Sequence, residues 1–206
     1  NSMKAIYLLF FTIILNMSVF AQTNSSTYLP KNTIQINYQN LGFSSATSIR
    51  NKRGIAIEPS GNIWIGLAAN GLIYWDGSTW TAVKDTISGT YLPSDSIHTI
   101  KQDSNYDLWV ASNFGLSHRT LTGYNNFAFN SAVGFPPTAI NEIEIFGNLL
   151  YLATTSGFIK FDISSQIFTL YNHANSALLN DTVSSITLDS QGKVWLSTNE
   201  GFSIYD

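Results

Sequence analysis

Three histidines and a recurring set of acids are the side chains best suited to acid–base or metal chemistry. His98, His118 and His173 are too far apart in sequence to form a His-x-x-x-His pair, and the chain has no cysteine. Zinc sites are built from clustered Cys and His, and calcium loops from closely spaced acids. The sequence therefore predicts no metal site, no other cofactor and no catalytic group.

The three histidines differ in their predicted surroundings. His98 and His118 lie in or beside predicted strands, where a half-buried or solvated histidine is commoner than a functional one. His173 lies in a polar loop with Asn172 and Asn175. Because loops carry many binding residues, His173 is the histidine that we keep as a binding candidate.

The acids belong to a unit that the chain repeats four times. An aromatic anchor marks each copy at intervals of 45, 42 and 44 residues: Trp64, Trp109, Tyr151 and Trp195. A glycine follows each anchor: Gly71, Gly115, Gly157 and Gly201. In three copies an acid stands six residues before the anchor: Glu58, Asp103 and Asp189. Such a period indicates a repeat architecture, and the repetition favours a turn role for these acids over catalysis.

Each repeat predicts four short strands. The first is apolar and alternating, at residues 54–57, 97–101, 140–145 and 184–188. The second carries the anchor, and the third begins at the glycine that follows it. Gly61 and Gly192 fit a tight turn after the first strand, and Asp76-Gly77 signals a hairpin before a fourth strand at Thr79. The predicted fold class is all-β, with propeller blades of four antiparallel strands.

The units resemble the two-component regulator propeller repeat, which reads D-x-x-G-x-[IVL]-W-[IVL]-[GS]-T and then G-[IVL]-x-x-[YF]-D. The last copy matches at Asp189, Gly192, Trp195, Leu196, Ser197, Thr198, Gly201, Tyr205 and Asp206. The first copy matches with Glu58 for Asp and a longer loop. The second copy has Tyr106 at the turn glycine, and the third lacks the acidic turn. The resemblance implies an exported bacterial β-propeller, as in the sensor regions of hybrid histidine kinases.

The resemblance also bears on the number of blades. Members of the family resemble propellers of about seven blades, whereas this chain holds repeats at about 53–95, 96–139, 140–182 and 183–206. Residues 33–40 resemble a ring-closing outer strand. Either this strand completes the last blade of a four-bladed ring, or the chain is part of a longer protein. We favour an incomplete part of a larger propeller, prone to domain swapping or aggregation.

The N-terminal segment has the form of an export signal. Lys4 precedes an apolar run at residues 5–15, and Val19 and Ala21 fit a signal-peptidase site. The apolar run is shorter than the ~20 residues of a membrane span. We predict a signal peptide at residues 1–21, a flexible leader at 22–32 and the propeller at 33–206, exported to the periplasm or to the cell surface.

Charge and loop chemistry limit the partners. The formal net charge is −3 and no basic run occurs, so nucleic acid is not expected. In a propeller, the loops between second and third strands gather at one end with the segments between blades. This face contains the candidate ligand-binding residues Asn70, Asn113, Ser156, Glu200, Arg50, Tyr91, Phe135 and His173. Amides, a cation and aromatics suit a saccharide or another polar small molecule, and a protein partner is the alternative.

The leading functional hypothesis is an exported ligand-sensing or interaction propeller, the periplasmic sensor part of a signal-transduction protein. The alternative is a secreted or surface-attached scaffold with a C-terminal sorting domain. A propeller lyase or hydrolase comes third. The turns separate Asp from Gly by two residues, where the sialidase box has one, and no His–Glu pair stands out as in propeller lyases. We therefore predict no enzymatic activity for this segment.

Overall fold

The computed structural model describes residues 52–84, 92–129, 134–136 and 138–206, which belong to one compact unit, Ile36–Asp206. The predicted signal peptide, the leader and the strand at 33–40 lie outside the described residues, as do Arg50 and Tyr91. The described part consists of strands and loops and contains no helix. Accordingly, within these ranges nothing helical is long and apolar enough to cross a bilayer.

The strands form four antiparallel sheets of consecutive strands, here called blades 1 to 4. Blade 1 consists of β1 (Lys52–Ile57), β2 (Ile63–Leu67), β3 (Leu72–Trp75) and β4 (Trp80–Val83). Blade 2 consists of β5 (Ile97–Gln102), β6 (Leu108–Ser112), β7 (Gly115–Thr120) and β8 (Gly123–Ala128). Blade 3 consists of β9 (Ile140–Phe146), β10 (Leu149–Thr154), β11 (Gly157–Asp162) and β12 (Ile167–Tyr171). Blade 4 consists of β13 (Val183–Leu188), β14 (Val194–Thr198) and β15 (Gly201–Tyr205). The all-β prediction with propeller blades is confirmed.

The first strand of each blade departs from the predicted alternation. Its pairing with the second strand shifts register near its start in all four blades. In β5 the shift lies between Ile97 and Thr99, so the buried side chains are Ile97 and Ile100, three residues apart. For residues 97–101, 140–145 and 184–188 the prediction of simple alternation was wrong because a β-bulge inserts one extra residue, which moves the following side chains to the other face. In blade 1 the predicted residues 54–57 follow the bulge and alternate.

The turns after the first strands share one geometry in blades 1, 2 and 4. In each turn the carbonyl of the acid accepts a hydrogen bond from the N–H three residues later. That third residue has positive φ: Gly61 at 89°, Tyr106 at 65° and Gly192 at 82°. Tyr106 therefore adopts the glycine conformation in blade 2. Blade 3 replaces this turn with a two-residue hairpin between Phe146 and Leu149, in which Gly147 has φ 58°.

The hydrophobic core lies between neighbouring blades. Each of three anchors is buried with apolar side chains of the following blade: Trp64 with Ile97 and Ile100, Trp109 with Ile140 and Ile143, Tyr151 with Val183 and Ile186. Trp195 of blade 4 is 40% exposed. Packing between blades therefore accounts for the position of the first three anchors.

Candidate ligand-binding face

The acids at one end of the blades hold the anchors. In blades 1, 2 and 4 a carboxylate oxygen accepts the indole N–H six residues later: Glu58 from Trp64 at 2.9 Å, Asp103 from Trp109 at 3.1 Å and Asp189 from Trp195 at 3.1 Å. The hydrogen bond from Trp195 lowers the pKa of Asp189. These acids are engaged in both the turn and the anchor, which agrees with a structural role.

Glu58 also joins blade 1 to blade 2. Its carboxylate pairs with Arg119, and the Arg119 guanidinium lies 4.6 Å from the centre of the Trp64 ring. Burial opposes ionisation of Glu58, but hydrogen bonds from Asn62 and Trp64 and the charge of Arg119 leave its pKa below the usual value. The sequence offered no signal for this pair, because the partners are 61 residues apart.

His118 lies beside Asp103 and Asp107, at the end of blade 2 that carries the acid turn. Its ring stacks on Trp109 at 3.8 Å, and its Nε2 lies 3.4 Å from Asp107 Oδ2. Burial lowers the pKa of His118, although Asp107 and Asp103 act in the opposite direction. Ligand atoms of these three residues lie within 4.8 Å of one another, as a divalent cation requires. However, both oxygens of Asp103 already accept hydrogen bonds, which favours a packing role.

At the other end, the loops between second and third strands are held by one recurring bond. The hydroxyl that ends the second strand donates to the carbonyl of the repeat glycine in three blades: Ser112 to Gly115, Thr154 to Gly157 and Thr198 to Gly201, at 2.7 to 3.0 Å. This bond explains why the repeat carries Ser or Thr three residues after the anchor. It fixes the loops that carry Asn113, Ser156 and Glu200.

The segments between blades lie against these loops, as the sequence predicts. The Ser96 hydroxyl donates to the carbonyl of Ala68 at 2.8 Å, and the Ser96 backbone carbonyl accepts from the Asn113 N–H at 3.2 Å. The Asn180 amide donates to Glu200 at 3.1 Å. The described loops and connecting segments therefore contact one another at this end of the blades, which is here called the loop face.

The bulges of the first strands place further polar side chains at this end. The extra residue is His98 in β5, Asn141 in β9 and Ser184 in β13. The Asn141 amide donates to the Val183 carbonyl at 2.7 Å, and Glu142 accepts from the Ser185 hydroxyl at 2.6 Å. Bulges often redirect side chains at functional sites. The sequence signal is an apolar–polar–polar–apolar start, which β5, β9 and β13 share.

His98 and Asn113 form the clearest contact between a bulge and a loop. The His98 Nε2 and the Asn113 Oδ1 lie 2.6 Å apart, and both side chains are half-buried. The structure thus brings a predicted loop candidate together with a histidine that the sequence assigned to a strand. Their remaining polar atoms are held in one orientation, which suits recognition of a polar ligand.

The other predicted candidates have different surroundings. Asn70 and Ser156 are half-buried on the loop face, and Glu200 is exposed there. The His173 ring bonds the Leu178 carbonyl at 3.0 Å, within its own connecting segment. Phe135 packs against Phe129 and Phe168, which gives its ring a place in the core between blades 2 and 3. Ligand binding by any of these residues stays a prediction.

Residues 91–114 and 177–200 match a family model described as two component regulator propeller. Each match runs from a connecting segment through the first strand, the acid turn and the anchor strand into the loop that follows. The chain carries two-component regulator propeller repeats. The matched copies are blades 2 and 4, so the turn with Tyr106 falls within a matched stretch.

Solved propellers share the fold of this repeat protein. The extracellular domain of a hybrid two-component system from B. thetaiotaomicron is 23% identical with a TM-score of 0.62, over 77% of this chain and 22% of that chain. PorZ, a surface component of the type-IX secretion system of Porphyromonas gingivalis, is 15% identical with a TM-score of 0.57, over 79% and 27%. Virginiamycin B lyase from Staphylococcus aureus is 15% identical with a TM-score of 0.55, over 75% and 55%.

The chain spans about a quarter of the length of the first two of these structures. A comparison with curated proteins finds no match. At these identities the likeness concerns the fold.

Proposed function

We propose that this repeat protein is an exported ligand-sensing or interaction propeller, the periplasmic sensor part of a signal-transduction protein. The observation that carries the proposal is the polar face on which first-strand bulges meet the loops, with His98 and Asn113 in contact. The repeat matches and the likeness to an extracellular domain of a hybrid two-component system support it. The predicted signal peptide supports export.

The proposed ligand is a polar small molecule, with saccharides as the leading class. The face offers imidazole, amide and hydroxyl groups from neighbouring blades, and the connecting segments hold them in place. Polar groups fixed before binding cost little entropy to engage and so favour hydrogen-bonded ligands. A ligand that bridges two blades would favour one relative position of those blades, which is how a sensor propeller could act without chemistry.

A saccharide panel tests the proposal. Residues 22–206 are titrated with mono- and oligosaccharides by calorimetry, and thermal unfolding is followed in parallel, since a ligand of the folded state raises Tm. For a sugar that binds, His98→Ala should weaken affinity by about tenfold. Thr122→Ala is the matched control, because Thr122 is an exposed turn residue at the opposite end of blade 2. A panel without binding, or equal affinity in both variants, would contradict the proposal.

Two other functions have a specific observation behind them. The likeness to PorZ favours a surface-attached scaffold, which would bind a protein at the same face. The likeness to a lyase with a catalytically inactive His-to-Ala variant keeps an enzyme as a third candidate. Alanine substitution of His98, His118 and His173 tests the enzyme hypothesis. Loss of substrate turnover in one of these variants would indicate a catalytic histidine.

A further inference from the structure

The blade junctions differ at the end that carries the acid turns. At the junction of blades 1 and 2, the third strand of blade 2 supplies Arg119, whose guanidinium pairs with the turn acid Glu58. At the junction of blades 2 and 3, the equivalent third-strand residue is Phe161, since each of the two pairs in register with the residue just before an anchor. The Phe161 ring lies 5.8 Å from the Trp109 ring. The following blade therefore gives Asp103 an aromatic ring where Glu58 has a cation.

Blade 2 also has a second acid at a position where two other blades complement the first. In blade 1 this position, four residues after the turn acid, is Asn62, which donates its amide to that carboxylate at 2.9 Å. In blade 4 it is Lys193, a cation. In blade 2 it is Asp107. Among the described residues no lysine or arginine forms an ion pair with Asp103 or Asp107. Two carboxylates therefore lie close together without a protein cation beside them.

His118 brings an imidazole to these carboxylates from the third strand. It lies opposite Trp109 in the register of β6 and β7, and the stacked indole fixes the plane of its ring. Its Nε2 atom is buried and has no hydrogen-bond partner in the described structure, although Asp107 Oδ2 is 3.4 Å away. Burial lowers the pKa of His118 and so favours the neutral ring, which carries a lone pair on one nitrogen. A buried nitrogen of this kind calls for a partner, and a bound cation would supply one.

Distances within the cluster fit a metal ion. One ligand atom from each of Asp103, Asp107 and His118 lies within 4.8 Å of the others. Two ligand atoms at about 2.1 Å from a tetrahedral ion are about 3.4 Å apart. His118 Nε2 and Asp107 Oδ2 have this separation, 3.4 Å. An ionised carboxylate can accept about four hydrogen bonds, and Asp103 accepts three, of which only one is on Oδ2. The packing role of Asp103 therefore leaves Oδ2 able to bind an ion.

The donor atoms indicate the class of ion. An imidazole nitrogen with two carboxylate oxygens suits zinc and the neighbouring transition metals, whereas calcium and magnesium prefer oxygen ligands alone. The side chains of His118 and Asp107 are 15% and 21% exposed, so an ion can enter from solvent and water can occupy the remaining position. The two negative charges of the carboxylates, with a neutral imidazole, are balanced by one divalent ion.

We propose that Asp103, Asp107 and His118 bind one divalent transition metal ion of the zinc class. The ion links the acid turn of blade 2 to its third strand across the Trp109 ring and thereby stabilises the blade. It supplies the positive charge that Arg119 supplies at the preceding junction. The proposal departs from the sequence-based expectation of no metal site. The cluster lies at the end of the blade opposite the loop face, so it does not depend on the polar ligand proposed above.

A zinc titration of the metal-free protein tests the proposal. The protein is treated with EDTA, dialysed and titrated with zinc chloride by calorimetry at pH 7.5, and thermal unfolding is followed with and without zinc. We expect one ion per chain and a Tm that rises with zinc. Asp107→Asn and His118→Phe, which keeps a ring on Trp109, should each weaken zinc affinity about tenfold or more. Glu144→Gln is the matched control, because it removes a carboxylate that pairs with Lys101 outside the cluster. Circular dichroism shows whether each variant is folded.

Three results would overturn the proposal. No zinc binding by the folded protein would show that the cluster serves packing alone. Unchanged zinc affinity in folded Asp107→Asn and His118→Phe would show that the ion binds elsewhere on the chain. A loss of affinity in Glu144→Gln as large as in Asp107→Asn would show that zinc binds to exposed carboxylates in general and not to this cluster.

Discussion

The contact between blades 1 and 2 gives the sharpest test of how these blades are held together. The Arg119–Glu58 pair is largely buried, with side chains 15% and 9% exposed, and Arg119 also covers Trp64. Arg119→Met would leave the Glu58 carboxylate buried without a countercharge. Breaking a buried pair costs about 3–5 kcal/mol. Because Asn62 and Trp64 still donate to Glu58, we expect the lower end, about 3 kcal/mol.

Lys101 provides the matched control. Its pair with Glu144 also joins two blades, at 3.1 Å, but the side chains are 37% and 25% exposed. Solvent screens such a pair, so Lys101→Met should cost about 0.5 kcal/mol. With a urea dependence of about 2 kcal/mol per molar, the unfolding midpoint should fall by about 1.5 M for Arg119→Met and by about 0.3 M for the control.

A second substitution separates lost charge pairing from lost packing. Adding Glu58→Gln to Arg119→Met removes the unpaired charge while an amide oxygen still accepts the Trp64 N–H. We therefore expect the double variant to recover part of the stability that Arg119→Met loses. Equal midpoints for Arg119→Met and Lys101→Met, or no recovery in the double variant, would refute the reasoning that a buried ion pair joins these blades.

Two further predictions concern single positions. Gly157→Ala places a Cβ 2.4 Å from the Tyr171 carbonyl oxygen, so it should lower the urea midpoint of unfolding more than Gly201→Ala does. The Gly201→Ala substitution adds only backbone strain. Equal losses of stability in the two variants would contradict this reasoning. Burial lowers the pKa of His118, so the folded state favours the neutral ring. The stabilisation that results is complete above the unfolded pKa of about 6.5 and is lost as pH falls through the folded pKa. His118→Phe, which keeps a ring on Trp109, should therefore show a smaller difference in unfolding midpoint between pH 8 and pH 5 than the parent.

The repeat itself could be read from sequence because each copy places the same side chains in the same environment. The anchor, the turn acid and the glycine recur at one period. Four copies that are each a weak signal therefore indicate the repeat together. Tyr106 did not obscure the second copy, since the acid of Asp103 forms the same turn and Tyr106 adopts positive φ there. Local rules were sufficient for the anchors, the acid turns and the repeat glycines within each blade.

Contacts between blades and contacts at the bulges were beyond the same reasoning. The Glu58–Arg119 pair depends on which third-strand residue faces the preceding blade, and only the three-dimensional arrangement fixes that. The His98–Asn113 contact depends on a bulge, whose apolar residues are three apart and so do not follow the strand period. A polar pair between two apolar residues at the start of a repeated first strand is the signal that would have indicated the bulge.

The two ends of the blades use their polar residues differently. At the acid end, carboxylates bind indole N–H groups and backbone turns, and Arg119 and His118 lie on tryptophan rings, so these charges are already engaged. At the loop end, polar groups link neighbouring blades around the bulges by direct hydrogen bonds, as the Asn141 amide does with the Val183 carbonyl. Under the proposed function, a ligand bound at the loop end would change the hydrogen bonds that join neighbouring blades. At the acid end the charges that join blades already bind one another, as in the Glu58–Arg119 pair, so we place the proposed ligand at the loop end.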